Sequence, residues 1–225
     1  MIKMSSRVIG KARGALIVLE GCDRSGKTTQ CQKLVDALRK DGQKVEFLRF
    51  PDRSTAIGTV INDYLEKRCE LEDHAVHLLF AANRWELVPR MKTLMESGTT
   101  LIVDRYSYSG VAFTAAKKGF SIDWCKQPEK GLPKPDLVLY LTLSAEEAAK
   151  RAEFGGERYE QTDFQKKVAE NYKKLHECDW KTVDASQSIE DIHREIKHLV
   201  TDSMTSTQQQ DLQEMGKLWM EEENS

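Results

Sequence analysis

Eight residues, Gly21-Cys22-Asp23-Arg24-Ser25-Gly26-Lys27-Thr28, follow the pattern G-x-x-x-x-G-K-[ST] and constrain this chain more than anything else in it. Before them runs Ala15-Leu16-Ile17-Val18-Leu19, an apolar segment of strand length. After them, Cys31, Leu34, Val35 and Leu38 recur at helical spacing, and Gly42 stands where that helix should end. Strand, loop and helix in that order are the setting in which this pattern cradles phosphate. Glycines let the backbone curl so that its N–H groups point inward, and the helix N-terminus adds the positive end of its dipole. Lys27 can then set a charge on the β and γ phosphates, and the Thr28 hydroxyl can ligate Mg²⁺. The alternative, an ordinary Gly-rich turn, does not account for the flanks.

The remainder of the chain alternates strand with helix, the pattern of a parallel sheet covered on both faces. Val45 to Arg49 reads as the second strand, and Ile57, Val60, Ile61, Tyr64 and Leu65 as a helix. Asp73 is expected to cap a long helix through Trp85, and Pro89 to open another that stops at Gly98. Leu101 to Asp104 is a third strand, followed by a helix carrying Val111, Ala112 and Ala115. Lys130 to Pro135 is a loop. Leu137 to Leu143 is the fourth strand, and Ser144-Ala145-Glu146-Glu147 a capping box. Beyond a polar interruption at Glu153 to Gln161, Phe164, Val168, Tyr172 and Leu175 mark a helix. Thr182 to Asp184 is the last strand, and Ser188 to Asp191 caps a final helix with Ile189, Ile192, Ile196 and Leu199 inward. From about Thr201 the chain is polar, with a helix-prone stretch around Leu218-Trp219. The division expected is one domain over about residues 1–200 and a polar extension over 201–225.

At 225 residues the chain can bury a sizeable core without staples. Its formal charge of −2 gives no field that would draw a nucleic acid, so charge for a phosphate ligand must be local. Five cysteines without a CxxC argue against a disulfide framework or a structural zinc, and point to a reducing compartment. No apolar run approaches the length needed to span a bilayer, so no membrane partner is expected. Met1 to Arg13 is basic and lacks acids. A mitochondrial presequence is one reading of it, but the first strand begins almost at once, and a short frayed tail suits it better. The location expected is the cytoplasm, with the nucleus as an extension. His74 and His77 lie three apart with no third ligand, and read as packing or surface groups. Cys22 and Cys31 sit near a helix N-terminus, where a thiol pKa can fall, although a structural role fits them better.

A phosphate loop by itself leaves kinase, G protein and motor open. The N-K-x-D element of guanine specificity is missing, and the length excludes most motors. A small kinase of nucleotides or a related metabolite remains. From another class, a protein that only binds nucleotide and closes on a partner also fits, although Lys27, Arg24 and Asp104 are all in place. Arg24 lies in the loop, Arg53 follows a Phe50-Pro51-Asp52 turn after the second strand, and Arg105 follows Asp104 after the third. In an open parallel sheet the ligand crevice lies outside those strand ends. Three guanidinium groups beside a triphosphate suit a second substrate that carries phosphate. A deoxynucleoside kinase needs instead an acid to activate a hydroxyl. Asp52 could serve, but Arg53 and Arg105 match a phosphate better. Asp104, ending an apolar strand, stands where an acid orients Mg²⁺ directly or through water. Phe80 and Arg84 share one helix face and could stack on a base and read its carbonyls. Taken alone, core packing for Phe80 and a solvated Arg84 is the better reading.

The loop with Asp-Arg at its centre, Phe50-Pro51-Asp52-Arg53, Phe80-Ala81-Ala82-Asn83-Arg84-Trp85 and Asp104-Arg105-Tyr106 together resemble the thymidylate kinases of eukaryotic type. The likeness runs in order from about Arg13 to Leu199. It implies an α/β fold in three layers, with a five-stranded parallel sheet in order 2-3-1-4-5 between helices, a mobile lid at about residues 150–161, and a homodimer. The implied reaction moves the γ-phosphoryl group of ATP to dTMP with Mg²⁺. The resemblance further implies that Gly21, Cys22, Asp23, Arg24, Ser25, Gly26, Lys27, Thr28 and Thr29 cradle ATP. Arg151 would pack on the adenine, and Thr28 and Asp104 serve the metal. Arg53 and Arg105 would hold the dTMP phosphate, Phe80 stack on thymine, and Arg84 donate to its O4. Tyr106 would crowd the 2′ position and Asp23 accept from the 3′-hydroxyl, with Phe50 and Tyr159 completing the dTMP site. Arg24 would be the catalytic arginine, with Lys27 and Asp104 in the same machinery. The lid holds Glu153, Glu157 and Glu160 beside Arg158, which fits a family type whose catalytic arginine sits in the loop. Position 52 carries Asp where the family often has Glu.

Overall fold

The structure, a computed structural model, describes residues 13–150, 157–207 and 215–220. Five parallel strands form one sheet in the order β2-β3-β1-β4-β5. They are β1 (Leu16–Glu20), β2 (Val45–Arg49), β3 (Thr100–Asp104), β4 (Leu137–Thr142) and β5 (Lys181–Asp184). The register sets Leu19 of β1 beside Asp104 of β3 and beside Leu139 of β4. β1, β3 and β4 are almost continuously apolar because both of their faces are covered. Their side chains alternate. Leu16, Val18, Leu101, Val103 and Val138 join one core, while Ile17, Leu19, Ile102, Leu139 and Leu141 join the other. Each fully buried side chain of this kind contributes about 1.5–3 kcal/mol.

Helices α4 (Val88–Glu96), α5 (Ser107–Thr114) and α8 (Thr162–Leu175) cover the first face through Met91, Met95, Val111, Val168 and Tyr172. Helices α1 (Lys27–Lys40) and α9 (Ile189–Thr207) cover the second through Leu34, Val35, Ile192, Ile196 and Val200. A smaller cluster joins α2 (Ala56–Leu65) to α3 (Asp73–Trp85), with Ile61, Tyr64 and Leu65 against Val76. Helix α7 (Ala145–Ala149) opens on the expected capping box, the Glu147 N–H donating to Ser144 Oγ at 3.1 Å.

Three local expectations give way, and one segment has none. Glu72, not Asp73, caps α3, because its longer side chain reaches back to the His74 and Ala75 N–H groups. Ile189 points outward, 54% exposed, and α9 runs on to Thr207, burying Val200 and Met204 instead. The stretch around Leu218-Trp219 is not helical. Lys217 makes an antiparallel bridge to Pro133, and buried Leu218 joins the first core. A short helix, α6 (Ile122–Lys126), and a 3₁₀ turn at Gln127–Glu129 fill a segment that carries no helical periodicity long enough to read.

Candidate active site

The carboxyl ends of β1, β2 and β3 open into a crevice of about 630 Å³. The phosphate loop forms its floor between β1 and α1. Gly21 is needed there because its φ is 144° and a Cβ would stand 2.5 Å from the Leu141 carbonyl oxygen. Gly26 caps α1 in the left-handed region, and Arg24 also adopts a positive φ of 62°. Lys27 is buried, its Nζ donating to the Cys22 carbonyl at 2.6 Å and to Ser25 Oγ at 3.2 Å. Burial pushes its pKa down to about 8, with the Arg105 charge acting in the same direction. Thr28 Oγ1 donates to Asp104 Oδ2 at 2.5 Å, while Asp104 Oδ1 is buried with no hydrogen-bond partner among the described residues. Thr29 lines the same wall.

Two arginines meet the loop from the strand ends. Arg105 pairs with Asp23 and donates through Nη1 to the Gly21 carbonyl at 3.2 Å. Arg53 donates to Asn62 Oδ1 at 2.8 Å and to Glu157 Oε1 at 2.7 Å. Arg24 Nε donates to Glu160 Oε1 at 2.8 Å. Thus two carboxylates from the segment after the fourth strand rest on arginines that line the crevice. Phe50 is buried against Tyr106, with ring centroids 5.8 Å apart. Tyr106 lines the crevice, and its hydroxyl is buried with no hydrogen-bond partner among the described residues. Phe80 is half-buried on the α3 wall, and Tyr159 stacks on Phe164 at 5.2 Å with an interplanar angle of 12°.

Arg84 departs from the solvated reading. Its side chain is 2% exposed and forms a two-point pair with fully buried Glu129, Nε to Oε2 at 2.8 Å and Nη2 to Oε1. Arg151 lies outside the described residues. Cys22 and Cys31 are buried, and burial raises Cys22 to about 11 and Cys31 well above the usual thiol range, so neither is a thiolate. His77 is a packing group, its ring nitrogens 2.8 Å from Thr114 Oγ1 and 2.9 Å from the Cys125 carbonyl. His74 is exposed beside Glu72, Phe120 and Trp124.

Several site residues escape a reading of the sequence. Glu20 is buried at the end of β1 and accepts from the N–H groups of Tyr106 and Ser109 and the hydroxyls of Ser109 and Tyr172. It anchors the start of α5 beneath Arg105, and an acid closing an apolar strand was the available signal. Gln165 binds both the N–H and the carboxylate of Asp23, 2.9 and 2.7 Å. Arg49 approaches Asp104 at 3.7 Å. Neither carries a local signal.

Residues 19–196 match the family model described as thymidylate kinase. A thymidylate kinase of Danio rerio is 54% identical over 210 residues, spanning 92% of this chain and 98% of the relative. The thymidylate kinase of Homo sapiens gives the same identity and coverage, 54%, 92% and 98%. A solved thymidylate kinase from Candida albicans superposes with a TM-score of 0.80 at 38% identity, covering 91% of this chain and 98% of that one.

Proposed function

This chain belongs to the thymidylate kinase family and phosphorylates dTMP to dTDP, and from that premise we propose how its residues carry the transfer from ATP. The triphosphate lies on the loop N–H groups of residues 21–29, with Lys27 at its β and γ phosphates. Arg53 and Arg105 grip the acceptor phosphate. An oxygen of that phosphate attacks the γ-phosphorus in line. The new O–P bond forms as the bond to the β,γ-bridging oxygen breaks, and ADP leaves with the electron pair. The acceptor phosphate is largely dianionic at neutral pH, so no general base is required. Arg24 neutralises charge on the transferring group.

Mg²⁺ fits this site. Among the described residues no cluster of three His, Cys, Asp or Glu side chains could cage a metal. Mg²⁺ instead keeps waters and takes substrate phosphates, needing one or two protein oxygens. The Thr28 hydroxyl, with Asp104 Oδ1, which has no partner among the described residues, beside it, supplies those. When bound, the ion would neutralise charge on the β and γ phosphates. For the acceptor, Phe80 stacks on thymine and Arg84 donates to O4, with Phe50 and Tyr159 at its sides. Tyr106 crowds a 2′-hydroxyl, and Asp23 accepts from the 3′-hydroxyl.

One observation carries this reading: three arginines from separate segments converge on one crevice with the phosphate loop at its floor. Every described residue in these roles falls within about residues 1–200, so a single domain suffices. A homodimer goes with the reading, supported by Leu78 and Trp85, which are seven apart on α3 and substantially exposed. Analytical ultracentrifugation should give twice the chain mass. Five free cysteines support a reducing setting, the cytoplasm and nucleus. Among the described residues no helix is long and apolar enough to cross a membrane. The decisive assay supplies ATP with each nucleoside monophosphate and identifies the products. dTDP and ADP should dominate, and EDTA should stop their formation. Turnover of another monophosphate with no dTDP formed refutes the reading.

A further inference from the structure

Arg84 and Glu129 stand 45 residues apart in the chain and meet at the crevice wall, 2% and 0% exposed. Arg84 comes from the last turn of α3 and Glu129 from the 3₁₀ turn Gln127–Glu129. The carboxylate takes one hydrogen from Nε and one from Nη2. This two-point grip fixes the plane of the guanidinium. Nη1 then keeps both hydrogens, and it donates to no acceptor among the described residues. Gly110 lies against the pair. A Cβ there would stand 2.5 Å from Arg84 Nη2 and 3.2 Å from Glu129 Oε1, so the bare backbone makes room for it.

A pyrimidine base is neutral and cannot cancel a buried guanidinium charge, which would be expensive to leave alone. The charge has to be cancelled from inside the protein. We propose that Glu129 is a specificity-determining positioning residue for the acceptor base. It clamps Arg84 so that Nη1 presents donors to the 4-position, selecting a carbonyl there and rejecting an amino group. This rests on the reading of Arg84 as the residue that meets the base. Glu129 itself touches no substrate and acts through Arg84.

The test uses the full chain with ATP and two acceptors that differ only around the 4-position, dUMP and dCMP. The wild type should prefer dUMP by about a hundredfold or more in kcat/KM, because a site built of donors leaves an amino group unpaired. Glu129→Asp draws Arg84 back by one methylene while keeping the charges balanced. Glu129→Gln sets an amide N–H against Nη2. Either change should cut the dUMP over dCMP preference at least about tenfold, while the dTMP over dUMP ratio and the KM for ATP stay within about twofold. A purely structural carboxylate would lower all rates together and leave the preference alone. Thermal unfolding is followed for each variant, and should Glu129→Gln fail to fold, Glu129→Asp carries the test. A folded Glu129→Asp enzyme with the wild-type preference overturns the proposal alone. A wild type that takes dCMP as well as dUMP overturns the reading of Arg84 and the proposal with it.

Discussion

The two ends of the crevice, proposed to take the acceptor's phosphate and its base, hold Arg53 and Arg84 in opposite ways. At the phosphate end, Arg53 and Glu157 are 33% and 41% exposed, and Glu157 comes from the segment that follows β4. At the base end, Arg84 and Glu129 are buried, and both come from the packed body of the domain. An exposed ion pair contributes about 0–1 kcal/mol, so an incoming phosphate can displace its carboxylate. A buried pair cannot lose one partner without stranding the other charge. The contrast matches the ligand. On the proposed reading, charge arrives and leaves with the phosphate in every turnover, so Arg53 needs a partner that yields. The base brings no charge, so Arg84, as the arginine proposed to meet it, needs a partner that stays.

The largest expected effect lies at the phosphate end. Arg24→Ala should lower kcat by about 10³–10⁵, or about 4–7 kcal/mol, with the KM for ATP little changed. A loss under about tenfold in steady-state assays would move the catalytic role to another arginine. Next comes the stability contrast itself. Removing the buried carboxylate in Glu129→Gln should cost about 3–5 kcal/mol in urea unfolding, whereas Glu157→Gln should cost about 0–1 kcal/mol. Equal losses would erase the distinction between the two ends. At the base end, the thymine methyl is worth about 1–3 kcal/mol in an apolar pocket, so dUMP should be a poorer but measurable acceptor. Equal kcat/KM for dTMP and dUMP would show that no such pocket exists.

The smallest effect concerns His77 of α3, whose ring packs between Thr114 of α5 and the Cys125 carbonyl of α6. Burial lowers its pKa below the usual imidazole value, with the Cys125 carbonyl and the Glu129 charge opposing that, and the Arg84 and Lys117 charges adding to it. The unfolded chain therefore binds the proton more readily. His77 stabilises the fold fully above the unfolded imidazole pKa, and that contribution is lost as pH falls through it towards the folded value. The slope from this group is at most about 1.4 kcal/mol per pH unit. Urea unfolding between pH 7 and pH 5 should show it, and His77→Asn should flatten it. An unchanged slope in the variant would assign the acid sensitivity elsewhere.

What the sequence made legible was local. The loop from Gly21 to Thr28 announces itself because its glycines, lysine and threonine act within a few residues of one another. β1, β3 and β4 were readable because burial on both faces demands unbroken apolar runs. What stayed hidden depends on distance along the chain. Glu129 lies 45 residues from Arg84, and Gln165 lies 142 from Asp23, so neither pairing leaves a period or a motif. Arg84 in particular looked solvated because its neutralising partner sits in a short segment with no readable periodicity. Ile189 and Leu218 were misjudged for a related reason: which apolar residue faces inward at a helix start or in a tail is decided by what packs against it.

The most direct measurement is a crystal structure with dTMP and a non-hydrolysable ATP analogue bound. Arg53 should have left Glu157 for the dTMP phosphate, with Arg105 beside it, while Arg84 keeps both bonds to Glu129 and turns Nη1 to O4. Arg53 still on Glu157 and facing away from the acceptor, or Arg84 parted from Glu129, would contradict it.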